Sequence, residues 1–167
     1  MLNCVFTTLI LIINFIFQTT ILQHFSIMGI VPNTSLIILV IYGLLKGKYN
    51  GAFAGLVLGL LQDILFSKVI GINALIYFLI GYIVGLLDDK VFKENLVLPF
   101  LTILASTFVY HILYYLFMVF LSRDVNIVVI MKDVLIGEMI YNSILSIFIY
   151  KRILKRSKEP QIKFRRR

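Results

Sequence analysis

Long apolar stretches separated by short polar links run along the whole chain. Crossing a bilayer as a helix takes about 20 residues at a rise of ~1.5 Å each, and six stretches reach or approach this length. The predicted spans are residues 5–22, 32–45, 49–66, 69–87, 96–121 and 127–150. The pattern therefore predicts an all-α polytopic integral membrane protein with about six transmembrane helices.

The second and sixth spans are the least regular of the set. Pro32 suits the first turn of a helix, but a span that begins there holds only about 14 residues, fewer than the usual number. Lys132 and Asp133 stand near the start of the sixth span, so its apolar part begins at Val134. Five spans therefore remain an alternative to six.

Composition places these helices in lipid. Of the 167 residues, 60% are hydrophobic and 14% charged, and the mean hydropathy is +1.00. A soluble domain of this size cannot bury so much apolar surface. We therefore expect residues 1–150 to form a single transmembrane helical domain and residues 151–167 to form a basic cytoplasmic tail.

Lysine and arginine, which are retained on the cytoplasmic side of a membrane, set the predicted orientation. Six spans with the N- and C-termini in the cytoplasm place 13 of the 16 basic residues inside, and nine of these follow from Lys151 onward. The tail has two interpretations. It either fixes topology alone, or it also attracts anionic lipids, at about 1 kcal/mol for each basic residue near the surface.

Glycine recurs at every fourth position from Gly43 through the third span. Residues four apart lie one above another on a helix, so this register forms a groove that admits a neighbouring backbone. Two further glycines share a stripe on the fourth span. We assign a helix-packing role to Gly51, Gly55, Gly59, Gly81 and Gly85. A plain packing ridge is the simpler interpretation, and a ridge that docks a different protein is the alternative.

Each span carries one polar residue in the half nearer the outer surface. We call this set the polar layer; its members are Gln18, Asn33, Asp63, Asn73, His111 and Glu138. A lipid-facing charge at the bilayer centre costs on the order of 3 kcal/mol or more, so we expect these groups to point toward one another. A structural hydrogen-bond network is the favoured interpretation for the three ionisable members. A partner or ligand site and proton or ion transfer are the alternatives.

The chain shows no recognisable catalytic arrangement. It has no HExxH pair, no glycine-rich phosphate loop with its lysine, and no nucleophile that can be matched with a base. Its one cysteine, Cys4, offers neither an internal disulfide nor a metal cluster. The sequence therefore predicts no enzyme, no cofactor, no metal site and no nucleic-acid partner.

Four segments in a fixed order resemble a known family. A first span that ends near Gln18 is followed by VPNTSLIILVIYGLLKG, GAFAGLVLGLLQDILFS and GINALIYFLIGYIVG. This order resembles the rod shape-determining protein MreD family over most of the chain. The most specific block runs from Pro32 and Asn33 through Gly55, Gly59 and Asp63 to Gly71, Tyr77 and Gly81. The last two spans match mainly in length and hydrophobicity, so His111 and Glu138 are not carried over.

The resemblance implies a non-catalytic scaffold in the bacterial cytoplasmic (inner) membrane. Proteins of this family belong to the cell elongation machinery that synthesises lateral peptidoglycan, and they help maintain rod cell shape. The implied partner is an MreC-like protein with one membrane span. Through it the chain would reach a class B penicillin-binding protein, RodA and MreB filaments.

The family is also similar in fold to the substrate-binding subunits of energy-coupling-factor transporters. This similarity supplies the alternative function, a small-molecule-binding membrane subunit of such a transporter, which the polar layer would also suit. A loop that closes over a ligand is longer than the predicted external links at residues 24–31, 67–70 and 122–126. The short links therefore favour the scaffold. A flippase or proton-coupled transporter is a third hypothesis, and no internal repeat supports it.

Overall fold

The computed structural model describes residues 2–20, 24, 26, 29–67, 69–88, 96–121 and 135–157. These residues form six α-helices: α1 (Leu2–Thr20), α2 (Thr34–Lys46), α3 (Lys48–Phe66), α4 (Ile72–Gly85), α5 (Val97–Phe120) and α6 (Ile136–Ser157). The prediction of an all-α chain is confirmed. Two of the helices, α3 with 19 residues and α5 with 24, are each long and apolar enough to cross a membrane.

The helix boundaries differ from the predicted spans most at α2 and α6. Helix α2 begins at Thr34 because Asn33 caps it, with the Asn33 side chain accepting a hydrogen bond from the Leu36 amide at 3.0 Å. Residues 127–134 of the sixth predicted span lie outside the described residues. Helix α6 begins at Ile136 and continues to Ser157, so the first seven residues of the predicted tail are helical.

Helix α2 forms the centre of the bundle. Ten of its 13 residues are buried, and it contacts each of the other five helices. By contrast, one face of α3 leaves Leu56, Leu60 and Ile64 exposed. An apolar face of this kind is suited to lipid, whereas a central helix that is apolar all round is suited to a protein core.

The connection between α2 and α3 is a single residue, Gly47. Its φ of +84° lies in the left-handed region, which side chains rarely adopt and glycine adopts freely. The chain therefore reverses within one residue, and α3 packs directly against α2 and then against α4.

Helices α3 and α4 touch backbone to backbone. A side-chain carbon built on Gly55 would overlap the carbonyl group of Tyr77, and one built on Gly59 would overlap the backbone of Ala74. Gly51 and Gly81 face each other in the same way. Gly85, the fifth glycine that the sequence assigned to packing, lies against the backbone of Lys48. The glycine register therefore faces a neighbouring helix at every one of its assigned positions.

We predict that Gly55→Ala destabilises the protein, although alanine is the better helix former by ~1 kcal/mol. The added methyl group meets rigid backbone, so the helices must separate, at a cost of about 1–3 kcal/mol. The measurement is thermal unfolding of the purified protein in detergent. Leu56→Ala, on the exposed face one residue later, is the control and should change the midpoint far less. Equal or higher stability of Gly55→Ala would show that the two backbones are not in contact.

Candidate functional site

Gln18 joins α1 to the beginning of α2. Its Oε1 atom accepts hydrogen bonds from the Ser35 amide at 2.7 Å, from the Ser35 hydroxyl at 2.7 Å and from the Thr34 hydroxyl at 3.0 Å. The first amide groups of a helix have no partner within that helix. A glutamine from a neighbouring helix therefore supplies the missing acceptor.

Asn33 connects three helices from its position at the N-terminus of α2. Its side-chain amide donates to the Tyr77 hydroxyl of α4 at 2.8 Å, and its backbone amide donates to Asn142 Oδ1 of α6 at 2.8 Å. The Tyr77 hydroxyl lies 3.1 Å from Gln62 Oε1 of α3, which accepts from it. Asn33 and Tyr77 are both buried, so these bonds take the place of bonds to water.

Asp63 is completely buried and caps the N-terminus of α4. Its Oδ2 atom accepts from the amides of Gly71 and Ala74, both at 2.9 Å. Its Oδ1 atom accepts from the Asn73 amide at 3.1 Å and from the Asn73 side chain at 2.9 Å. Four N–H groups and the positive end of the helix dipole therefore balance this carboxylate, which explains how an acid can sit inside an apolar bundle.

Asn73 extends this cluster to α5. Its Oδ1 atom accepts from the Tyr110 hydroxyl at 2.9 Å, and its side-chain amide also donates to the Ser67 hydroxyl at 2.8 Å. The ring of Tyr110 packs against that of Tyr77, with 5.3 Å between the centroids. These two tyrosines bring the Asp63 cluster into contact with the Asn33 cluster.

His111 and Glu138 form a buried pair between α5 and α6. Their Nε2 and Oε2 atoms are 2.9 Å apart, and the two side chains are 9% and 8% exposed. The two atoms are therefore within hydrogen-bond distance across the contact between α5 and α6. Glu138 Oε1 also accepts from Asn142 at 3.2 Å, and the same amide group lies 3.2 Å from the Thr107 hydroxyl.

The structure links five of the six polar-layer residues through hydrogen bonds and one ring contact. Asp63 and Asn73 form one end of this chain, Asn33 lies in the middle, and Glu138 and His111 form the other end. Gln18 binds instead to Thr34 and Ser35, which directly follow Asn33. The participants that sequence reasoning missed include Thr34, Ser35, Gln62, Ser67 and Tyr110. For Thr34 and Ser35 the sequence did carry a local signal, because this polar pair directly follows Asn33 at a predicted helix start.

This arrangement fixes helices relative to one another, because the bonds described above join two helices or cap one, apart from the Glu138–Asn142 bond within α6. The carboxylate oxygens of Asp63 and Glu138 and the amides of Asn33, Asn73 and Asn142 all have protein partners. Within the described ranges, no group of three His, Cys, Asp or Glu side chains comes together in a way that could hold a metal ion. Among the described residues the cluster is a hydrogen-bonded network between helices.

We predict that Asp63→Asn lowers stability despite its nearly identical shape. Each carboxylate oxygen accepts from two N–H groups, so an amide nitrogen in either place would face two donors, at a cost of ~1 to 3 kcal/mol. Thermal unfolding in detergent measures the effect. Asn50→Ala, an exposed amide near the other end of α3, is the control. An Asp63→Asn protein as stable as the wild type would mean that the carboxylate does not cap α4.

Comparison with known families gives a match over nearly the whole chain. A model of the family described as rod shape-determining protein MreD matches residues 1–155. No curated protein matches the chain, and no solved structure does.

Proposed function

The chain belongs to the rod shape-determining protein MreD family, and from this premise we propose that it is a non-catalytic membrane scaffold of the cell elongation machinery. The family consists of membrane proteins that act in rod shape determination, and it is not known as an enzyme. In this proposal the chain binds an MreC-like partner within the membrane. Rod cell shape depends on that assembly because it positions lateral peptidoglycan synthesis.

One observation carries the proposal: the polar-layer side chains are bonded to one another and to helix ends. The four donors around Asp63 and the paired His111 and Glu138 leave these side chains engaged within the chain itself. A scaffold needs a rigid shape, and a hydrogen-bonded polar network between helices supplies rigidity. This supports a protein that works by being bound.

The alternative is a small-molecule-binding subunit of an energy-coupling-factor transporter. Such a subunit needs polar groups that are free to bind its ligand until the ligand arrives. The ligand-binding role would fall to Asp63, Asn73, His111 and Glu138, and all four already have protein partners. The bonding pattern therefore favours the scaffold over the transporter subunit, although the two could share a fold.

We further infer six spans in the bacterial cytoplasmic membrane, with both termini in the cytoplasm. Helices α2 and α4, with 13 and 14 residues, are shorter than the usual ~20, and short helices can be accommodated by local thinning of the bilayer. The basic tail then lies inside. At its start, Lys151 and Arg152 are exposed while Ile153 and Leu154 pack against the core.

That arrangement leaves a basic surface free at the cytoplasmic end of α6. In the proposal this surface attracts anionic lipids, and it helps couple the assembly to MreB filaments. The class B penicillin-binding protein and RodA are reached through the MreC-like partner. We infer no nucleic-acid partner, because the basic residues stand at the membrane surface and not on a separate domain.

The orientation predicts which positions an impermeant thiol reagent can reach. In a Cys4→Ser background, Asn50→Cys should resist the reagent in intact cells, because Asn50 lies beside the cytoplasmic link between α2 and α3. Ser26→Cys should react, because it lies in an external link and is exposed. Labelling after membrane permeabilisation is the control and should reach both. The reverse pattern in intact cells would overturn the orientation.

Depletion of the protein in a rod-shaped host should give rounded or swollen cells in which the MreC-like partner no longer localises. Microscopy of the cells and of a fluorescent partner measures both effects. Re-expression of the wild-type chain is the control and should restore the rod shape. Cells that stay rod-shaped but lose uptake of one vitamin would contradict the scaffold and favour the transporter subunit.

A further inference from the structure

Two openings border the C-terminal end of α4. One is apolar, with a volume of about 380 Å³, and its walls are α4 residues between positions 80 and 87 and α5 residues between positions 101 and 109. We call it the α4–α5 groove. The other has a volume of about 240 Å³ and lies between the α2–α3 turn and the end of α4. We call it the charged pocket.

The charged pocket is built around the single-residue turn at Gly47. Lys46 and Lys48 flank this turn, and both line the pocket together with Asp88, which follows α4. Neither lysine forms an ion pair with another residue that the structure describes. Asp88 offsets one of the two positive charges, so the pocket keeps a net positive charge. The positive end of α3, which has no side-chain cap at Gly47, adds to this charge.

Tyr49 indicates the depth of the charged pocket in the membrane. It lines the pocket, its ring is 76% exposed, and the Lys48 Nζ atom lies 5.3 Å from the centre of that ring. Tyrosine is enriched at the level of the lipid headgroups, and basic residues near this level attract anionic lipids. The pocket therefore lies where lipid phosphate groups are found, and its net charge is opposite to theirs.

The two openings adjoin just beyond Gly85, the last residue of α4. Leu86 lines the charged pocket and Leu87 lines the groove, and the two side chains are 47% and 37% exposed. From Leu87 the groove continues to Ile80, over a rise of about 10 Å along the helix. Its walls are mostly aliphatic, which suits a hydrocarbon chain.

We propose that this end of α4 binds one anionic phospholipid, with the phosphate group in the charged pocket and one acyl chain in the α4–α5 groove. A phospholipid joins an anionic head to hydrocarbon chains through a short glycerol unit, and the two openings adjoin in the same order. The bound chain fills the space between α4 and α5, whose hydrogen bond between Tyr110 and Asn73 lies toward the other end of α4. This site is separate from the basic tail and goes beyond the scaffold role.

The test is native mass spectrometry of the purified full-length chain with graded amounts of phosphatidylglycerol. Phosphatidylcholine with the same acyl chains has no net charge and should bind more weakly. Lys46→Gln combined with Lys48→Gln should weaken phosphatidylglycerol binding about tenfold or more. Lys151→Gln combined with Arg152→Gln removes the same charge from exposed positions at the start of the tail. It is the matched control and should change the affinity less than about twofold.

Asp88→Asn gives a readout that a misfolded chain cannot imitate. It removes the one negative charge that lines the pocket, so phosphatidylglycerol binding should become about threefold stronger or more. Weaker or unchanged binding by this variant would show that the phosphate group lies elsewhere.

Ala105→Phe tests the groove. Ala105 lines the groove and is exposed, so the larger side chain extends into the space assigned to the acyl chain. The variant should weaken phosphatidylglycerol binding about tenfold. Val119→Phe, at an exposed position of α5 outside the groove, is the matched control and should bind as the wild type does. Inorganic phosphate, which has no acyl chain, should not displace the lipid at equal concentration.

Three results would overturn the proposal. Equal phosphatidylglycerol binding by the two lysine and arginine double variants would remove the charged pocket as the phosphate site. Displacement of the lipid by an equal concentration of inorganic phosphate would show a site for free anions. Unchanged lipid binding by Ala105→Phe, together with loss of a co-purified partner, would assign the groove to a protein helix. Phosphate groups lie at both membrane surfaces and no partner is needed for binding, so these results are independent of the orientation and of the scaffold function.

Discussion

Close backbone contact between α3 and α4 is the constraint on which the other interactions depend. Helices in lipid gain little from burying apolar surface, so their association relies on close packing and on bonds between polar groups. The glycines of α3 let α4 approach until backbone meets backbone. This approach brings the first amides of α4 within 2.9–3.1 Å of Asp63, and it holds Asn73 where Tyr110 of α5 can reach it.

Three members of the polar layer satisfy amide groups at helix N-termini. Gln18 and Asn33 supply acceptors to the beginning of α2, and Asp63 supplies two to the beginning of α4. Inside a bilayer no water is present to do this, so a neighbouring side chain must. His111 and Glu138 follow a different rule, because they bond to each other between α5 and α6. Both solutions engage these polar side chains within the bundle.

The sequence was sufficient to predict the helices and the glycine register, but not the hydrogen-bond partners of each polar group. The apolar stretches predicted an all-α chain, because length and hydrophobicity are local properties. The cost of a lipid-facing charge also predicted that Asp63 faces the interior. The sequence could not show that Asp63 caps α4 or that Gln18 accepts hydrogen bonds from the start of α2. Both pairings depend on how helices pack in three dimensions. The start of α2 at Thr34 and not Pro32 likewise depends on the capping bond from Asn33 to Leu36.

The proposed scaffold, with its polar-layer side chains engaged within the bundle, should carry another protein and no small water-soluble ligand. Native mass spectrometry of the protein, released gently from its membranes, tests this claim most directly. The account predicts a complex that contains this chain and the MreC-like partner, with no water-soluble small molecule retained by the chain after the partner is removed. A chain that leaves the membrane without a partner and with a bound water-soluble small molecule would contradict it.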